Sequence, residues 1–99
     1  VTDMVEHNGR LYVGTYNDAG GELWRTDGVT WEQVVTGGFG ETANVELKNL
    51  AVFSHTLYVA TDNSTGAPQV WRSTSGDAGS WSKVKPARHV LPYAARICR

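Results

Sequence analysis

The chain has 99 residues, with ten acidic and nine basic side chains and a formal net charge of −1. A chain of this length forms at most one ordinary domain, and its balanced charge gives no electrostatic case for binding nucleic acid or an acidic membrane surface. No apolar run is long enough to cross a membrane, so we expect no membrane insertion. Eleven glycines and four tryptophans, set among Val, Thr and Tyr, favour strands and tight turns and predict an all-β fold.

An internal repeat covers most of the chain. Three sequence blocks occur twice in the same order: 11–17 (LYVGTYN) as 57–63 (LYVATDN), 23–26 (LWRT) as 70–73 (VWRS), and 31–34 (WEQV) as 81–84 (WSKV). The spacing between matching blocks grows from 46 to 47 to 50 residues, and all the growth falls in Gly-, Ser- and Asp-rich stretches. Loops tolerate such insertions. The pattern therefore predicts a duplicated structural unit.

Each unit predicts four short antiparallel strands separated by turn sequences. The predicted strands are 4–7, 10–16, 22–26 and 31–35 in the first unit and 49–53, 56–62, 69–73 and 80–84 in the second. We therefore divide the chain into a first unit with its linker (1–49), a second unit (50–84) and a C-terminal extension outside the repeat (85–99).

Apolar side chains occupy both faces of these strands. Leu11 and Val13 point to one face and Tyr12 to the other, and the adjacent Leu23 and Trp24 must also face opposite ways. A sheet with one face in water would alternate between apolar and polar residues. Burial on both faces requires a neighbour on each side, as for the blades of a β-propeller. The repeat thus predicts two four-stranded antiparallel propeller blades, with a sandwich of two sheets as the alternative.

At these residues the chain resembles a family of repeat β-propellers that is common in bacterial secreted and surface proteins. Its blades read like LYVGT, then ELWR, then WxxV, with a turn such as Gly38-Phe39-Gly40 before the next unit. Residues 75–81 (SGDAGSW) also resemble the Asp-box hairpin of sialidase-like and sortilin-like propellers, with one residue missing. The resemblance covers about residues 4–84. It implies a blade fold and a secreted or cell-surface location, and it does not imply sialidase activity.

Two blades would leave two unlike apolar faces open, which predicts association. Exposed apolar patches of that size mark association surfaces, and unlike faces meet head to tail, closing a ring when the rotation permits. Three chains would give about six blades and four would give about eight, and we slightly favour the homotrimer over the tetramer. The predicted packing anchors are Tyr12, Trp24, Tyr58 and Trp71. A fragment of a larger propeller is the alternative.

No residue pattern indicates a reaction. The chain has no Gly-x-Ser-x-Gly elbow and no glycine-rich phosphate loop. His7, His55 and His89 do not align between the units and lack metal-ligand spacing, so we expect exposed histidines, no metal and no cofactor. Arg25 and Arg72 follow tryptophans at matching positions, which indicates a structural role. We predict no catalytic residue.

Asn17 and Asn63 hold matching positions beside Gly-rich loops that differ between the units. Turn formation is the simpler interpretation. Ligand contact on one rim of the propeller is the alternative, and its repetition would give multivalent binding. The leading functional hypothesis is a binding module, with carbohydrate as a candidate ligand because aromatic side chains suit sugar rings. A glycosidase-like propeller enzyme with a site between blades, or a scaffold without its own ligand, are the other hypotheses.

Overall fold

The computed structural model describes residues 3–84, which form strands joined by turns and loops. The eight strands are β1 (Asp3–His7), β2 (Arg10–Gly14), β3 (Leu23–Thr26), β4 (Trp31–Val35), β5 (Asn44–Phe53), β6 (Thr56–Asn63), β7 (Val70–Ser73) and β8 (Ser82–Val84). They form two four-stranded antiparallel sheets, ordered β1-β2-β3-β4 and β5-β6-β7-β8. The predicted all-β fold with two such sheets is confirmed. The predicted C-terminal extension, 85–99, and His89 within it lie outside the described residues.

The matching sequence blocks have matching strand partners. Tyr12 on β2 lies opposite Arg25 on β3, and Tyr58 on β6 lies opposite Arg72 on β7. Most strand boundaries lie within two residues of the predicted ones. Over the part of the chain that is described, neither sheet closes on itself, and no helix there could serve as a membrane span.

The strand β5 begins five residues before the predicted start. It spans ten residues and pairs with β6, with irregularities in register between Asn44 and Glu46 and between Leu47 and Asn49. An extra residue in one strand shifts the side-chain alternation, so a bulged strand can turn residues of both parities inward. Asn44 and Leu47 are accordingly both fully buried. The sequence does alternate here, with polar residues at 44, 46 and 48 and the apolar Val45 and Leu47 between them, so the predicted start at residue 49 is wrong.

One apolar cluster is shared by the two sheets. Its buried members are Tyr12, Leu23, Val34 and Val35 from the first sheet and Leu47, Leu50, Leu57 and Val59 from the second. Partly buried side chains pack around it, among them Val5, Phe39 and Trp81. Full burial of a large apolar side chain stabilises a fold by about 1.5–3 kcal/mol. The cluster therefore holds the two sheets together as one body.

Candidate functional site

The two sheets meet through unlike faces. On the first sheet, the contacting face carries Tyr12 and Arg25, both of which bond to the loop between β7 and β8. On the second sheet, the contacting face carries the buried Leu57 and Val59. Because side chains alternate along a strand, Tyr58 between them points away from the first sheet. The Tyr12 face of one sheet thus covers the Leu57 face of the other.

Arg25 is the charged centre of this contact. Its side chain is nearly buried, and its guanidinium donates hydrogen bonds to Glu32 Oε1 at 2.8 Å, Asp77 Oδ1 at 2.8 Å and the Tyr12 hydroxyl at 3.1 Å. Burial opposes the charge of Arg25, but these three hydrogen bonds outweigh it and raise the pKa of the guanidinium. Charge-assisted bonds of this kind are roughly twice as strong as neutral ones. Arg25 thereby joins the first sheet to Asp77 of the second.

The loop between β7 and β8 lies tightly against Tyr12. The Tyr12 hydroxyl donates to the Ser75 carbonyl oxygen at 3.4 Å, and a methyl group added at Gly76 would overlap that hydroxyl. Gly76 has a φ of 75°, a backbone conformation that other residues rarely adopt. The loop is shaped from within by Ser73 Oγ, which accepts from the Gly76 amide at 2.8 Å. The hydrogen bond from Arg25 lowers the pKa of Asp77, so the carboxylate stays charged against it.

A histidine and an aspartate add further bonds between the sheets. His7 Nε2 lies 2.9 Å from the Thr74 carbonyl oxygen, which requires a proton on Nε2. The Leu50 amide donates to Asp3 Oδ2 at 2.9 Å. The expectation of exposed histidines is therefore wrong for His7, which is 4% exposed. It holds for His55, which lies in the turn between β5 and β6.

On the outward face of the second sheet, Tyr58 and Arg72 occupy the positions that Tyr12 and Arg25 hold on the first. Arg72 is exposed, and within residues 3–84 its side chain forms no ion pair or hydrogen bond. Ser82 stands opposite it, where Glu32 stands opposite Arg25. A polar depression of 260 Å³ lies beside it, lined by Thr56, Arg72, Ser73, Thr74, Ser80 and Ser82. Arg72 thus carries a positive charge with no counter-charge at ion-pair distance among residues 3–84.

The outward face of the first sheet carries aromatic and apolar side chains. Trp24 is half-buried there, and its Nε1 donates to Glu22 Oε1 at 3.0 Å. Met4 is 52% exposed and Trp31 58% exposed. Trp71, at the position that matches Trp24, lies within the contact between the sheets. The predicted packing residues are thus divided, with Tyr12 and Trp71 inside this contact and Trp24 and Tyr58 on the two outward faces.

An aromatic depression of 230 Å³ lies between the sheets. Phe39 stacks on Trp71 with ring centroids 4.6 Å apart, and it meets Trp81 edge-on at 5.4 Å. The φ of Phe39 is 64°, which is strained for a bulky residue. Among the described residues, Trp81 Nε1 is a buried indole nitrogen without a hydrogen-bond partner. Such an orphaned donor costs about 1–3 kcal/mol.

Asn17 and Asn63 form turns in the structure. Asn17 Oδ1 accepts from the Ala19 amide at 2.9 Å, and Asn63 Oδ1 accepts from the Thr65 amide at 3.0 Å. Both residues also contact the segment at the start of β5, since the Asn17 amide donates to the Val45 carbonyl oxygen at 2.7 Å. The side chain of Asn63 has further partners there. Turn formation accounts for the short-range Oδ1 bonds of both residues, and their role as ligand contacts stays a prediction.

Asn44 lies at the centre of a hydrogen-bond network in the segment that connects the sheets. It is fully buried, and its Nδ2 donates to the Gly38 carbonyl oxygen and to Gln69 Oε1, both at 3.0 Å. Its Oδ1 accepts from Thr61 Oγ1 at 3.0 Å and from Asn63 Nδ2 at 2.9 Å. Every polar atom of the amide is satisfied, as burial requires. Asn44 therefore fixes the connection rather than offering a free site.

Titratable groups give no further cluster in the described part of the chain. No set of three or more His, Cys, Asp or Glu side chains between residues 3 and 84 could hold a metal ion. Asp18 accepts a 2.6 Å hydrogen bond from the Tyr16 hydroxyl, and this bond raises the pKa of the exposed Tyr16. Asp27 has a lowered pKa because the Thr30 and Val29 amides donate to its carboxylate.

The sequence patterns missed the residues that join the sheets. The Asp-box-like turn contains Asp77 but predicts no bond to Arg25. Neither Glu32 nor Asn44 belongs to a predicted site. One signal was available for the Arg25 cluster, because the matching positions differ: Glu32 in the first unit corresponds to Ser82 in the second. A charge present in one copy of a repeat and lost in the other indicates that the two copies have different partners.

Comparison with known proteins identifies no relative. No family model, no curated protein and no solved structure matches the chain. The class that the geometry defines is a two-sheet, all-β protein with one contact between unlike faces and a second pair of unlike faces that points outward.

Proposed function

We propose that the chain is a pair of β-propeller blades that associates head to tail with further copies and serves as a binding module. The observation that carries this proposal is the contact between unlike faces, in which the Tyr12 face of one sheet covers the Leu57 face of the next. A symmetric sandwich would bring like faces together. Stacked blades repeat the same unlike contact around an axis.

The outward faces support repetition of the contact. The Tyr58 face of the second sheet matches the Tyr12 face, and the face that carries Trp24 and Leu11 matches the Leu57 face. A contact between these two outward faces joins two chains by the geometry that joins the two sheets within one chain. Unlike faces that meet in this way form a ring when the rotation closes, and a trimer is the ring we favour slightly over a tetramer.

The first experiment is the mass of the purified chain in solution, from light scattering and native mass spectrometry. A discrete trimer or tetramer supports the proposal, and a folded monomer at every concentration contradicts it. Two alanine substitutions separate assembly from folding. Trp24→Ala should weaken association because Trp24 lies on an outward face, whereas Trp71→Ala should lower the stability of the chain itself because Trp71 stacks on Phe39.

Ligand binding is best supported at the aromatic depression between the sheets. Phe39, Trp71 and Trp81 offer apolar ring surface, and the indole N–H of Trp81 has no acceptor within residues 3–84. A carbohydrate combines an apolar ring face with hydroxyl oxygens and would satisfy both features. In a ring of copies the depression would be repeated, and binding would gain from multivalency.

Binding and turnover are separated by a glycan array and a panel of hydrolase substrates. Array binding without turnover supports the binding module, and turnover would favour the glycosidase-like alternative. Trp81→Phe keeps an aromatic ring but removes the indole N–H, so it should weaken glycan binding at this site. Unchanged array binding by Trp81→Phe would place the ligand elsewhere.

A further inference from the structure

The contact between the sheets has an open counterpart on the second sheet. Within the chain, Tyr12 and Arg25 receive the loop between β7 and β8, through Ser75 and Asp77. The pair formed by Tyr58 and Arg72 has the same register as the pair formed by Tyr12 and Arg25, but it points away from the first sheet. A Tyr–Arg pair that can bind such a loop is therefore present on each sheet. Among the described residues, only the pair on the first sheet has a loop bound to it.

The positive charge of Arg72 has no carboxylate partner among the described residues. Glu32 lies opposite Arg25 and bonds to it, whereas the residue opposite Arg72 is Ser82, which carries no charge. No carboxylate of residues 3–84 lies within ion-pair distance of Arg72. The Tyr58 hydroxyl likewise forms no hydrogen bond within that range, while the Tyr12 hydroxyl forms two.

Asp27 has no ion-pair partner among the described residues, although Arg10 of the same chain lies near enough to contribute to its lowered pKa. It lies in the turn between β3 and β4, which matches the β7–β8 loop that carries Asp77, and it is exposed. Oδ1 of Asp27 accepts from the Val29 and Thr30 amides at 2.9 and 3.0 Å. These bonds hold its carboxylate in the charged form. Oδ2 makes no hydrogen bond, and no Lys or Arg among the described residues forms an ion pair with Asp27.

The two groups do not meet within one chain. Arg72 points away from the first sheet, which carries Asp27, so a carboxylate from that sheet can reach it only from a second copy. The turn that holds Asp27 is three residues shorter than its counterpart, but it has exposed apolar neighbours. Val29 is 86% exposed and Trp31 58%, and Phe53, next to the Arg72 face, is 70% exposed. Burial of these side chains would accompany the ion pair.

We propose that Arg72 and Tyr58 of one copy bind Asp27 of a second copy, in the place that the β7–β8 loop has against Arg25 and Tyr12. This inference rests on the head-to-tail association proposed above and names its ionic anchor. Every copy carries one Arg72 face and one Asp27 turn, so the same contact extends from copy to copy. A second copy of the chain therefore supplies the opposite charge, both to Arg72 and to Asp27.

The test is a double-mutant cycle on the dissociation constant of the full chain, measured by sedimentation equilibrium. Arg72→Gln removes the positive charge, and Asp27→Asn removes the negative charge while keeping a side-chain oxygen for the turn bonds. Close charge pairs across interfaces are coupled strongly enough that each single variant should raise the dissociation constant by about tenfold. The double variant should dissociate no more readily than either single variant.

Two substitutions with the same changes of charge serve as controls. Asp18→Asn and Lys83→Gln alter exposed residues away from the proposed pair, Asp18 in the loop between β2 and β3 and Lys83 opposite Trp71, and both should leave the dissociation constant unchanged. Arg72→Lys keeps the positive charge and should retain most of the affinity. Circular dichroism of each variant checks the fold, which we expect to persist because Arg72 and Asp27 are exposed.

The outcomes distinguish this inference from the proposed function. If the wild-type chain associates but Arg72→Gln and Asp27→Asn match it, the ion pair is overturned and the head-to-tail association stands. Additive losses in the double variant would also overturn the pairing of these two residues. If the wild-type chain is monomeric at every concentration, the association and the ion pair are overturned together.

Discussion

Arg25 and Asp77, 52 residues apart in the sequence, are joined by a 2.8 Å hydrogen bond that links one sheet to the other. The guanidinium is nearly buried and the carboxylate is exposed, with 7% and 57% of the side chains accessible. The same guanidinium also holds Tyr12 and Glu32 on its own sheet. A single side chain therefore organises the charged part of the contact between the sheets.

Replacing Arg25 should destabilise the chain, whereas replacing Arg72 should not. Arg25→Ala removes three charge-assisted hydrogen bonds and the packing of the side-chain stem, and we expect a loss of about 1–3 kcal/mol in the free energy of unfolding. Arg72→Ala removes an exposed side chain that has no partner among residues 3–84, and the free energy of unfolding should stay close to that of the wild type. Urea unfolding, at protein concentrations low enough to keep the chain monomeric, measures both. Equal losses would show that Arg25 contributes nothing particular to the contact.

The stability conferred by Asp77 should depend on pH in the acid range. The hydrogen bond from Arg25 lowers the pKa of Asp77 below its ordinary value of 3.8, so the unfolded chain binds a proton more readily at this residue than the folded chain does. The contribution is therefore complete above the ordinary value and is lost as the pH falls through the lowered one.

Asp77→Asn provides the comparison for that measurement. The difference in unfolding free energy between the wild type and Asp77→Asn should be constant near neutral pH and should shrink as the pH falls below 3.8. Asp27 also has a lowered pKa, but it is present in both proteins and its effect cancels. A difference that is independent of pH would contradict the ion pair with Arg25.

Gly76 and Gly79 should differ in their tolerance of alanine. Both have positive φ, 75° and 80°, so a methyl group strains the backbone by about 1–2 kcal/mol at either position. At Gly76 it would also overlap the Tyr12 hydroxyl, whereas at Gly79 it would meet open space. Gly76→Ala should therefore lose about 1–3 kcal/mol more than Gly79→Ala. Thermal unfolding of the two variants measures this difference in stability. Equal melting temperatures would contradict the close approach of the loop to Tyr12.

Phe39 should contribute to stability through its stacking on Trp71. Phe39→Ala removes a ring stacked at 4.6 Å and opens the depression beside Trp81, and we expect a loss of about 2–4 kcal/mol. Tryptophan emission should shift to longer wavelength as water reaches the indole rings. Phe39→Leu keeps apolar volume and should recover part of the stability. An unshifted emission spectrum in Phe39→Ala would argue against the stacked arrangement.

The strands were predictable because their signal is local. The run of Leu11, Tyr12 and Val13, bounded by turn residues, defines β2 within two residues of its observed end. The burial of Asn44 at the start of β5 was not predictable in this way, because local alternation does not determine it. That burial is possible only with Gly38, Gln69 and other partners that lie 6 to 25 residues away.

The pairing of Arg25 with Asp77 was beyond sequence reasoning for the same physical reason. Arg25 could be assigned a structural role from the repeat, but its partner Asp77 belongs to the other sheet, and local propensity carries no information about such a pairing. His7 was expected to be exposed, and it is buried because the Thr74 carbonyl oxygen accepts its Nε2 proton. In each case a polar residue is buried because a distant part of the chain supplies its hydrogen-bond partner.

The shared apolar cluster determines how the two halves of the chain unfold. Tyr12 and Leu23 of the first sheet and Leu57 and Val59 of the second belong to one buried cluster. We expect neither half to keep this core when it is separated from the other. The free energy of unfolding of each half therefore depends on the presence of the other half. The chain should therefore unfold in one cooperative transition, and truncation to a single repeat would leave a polypeptide without an interior.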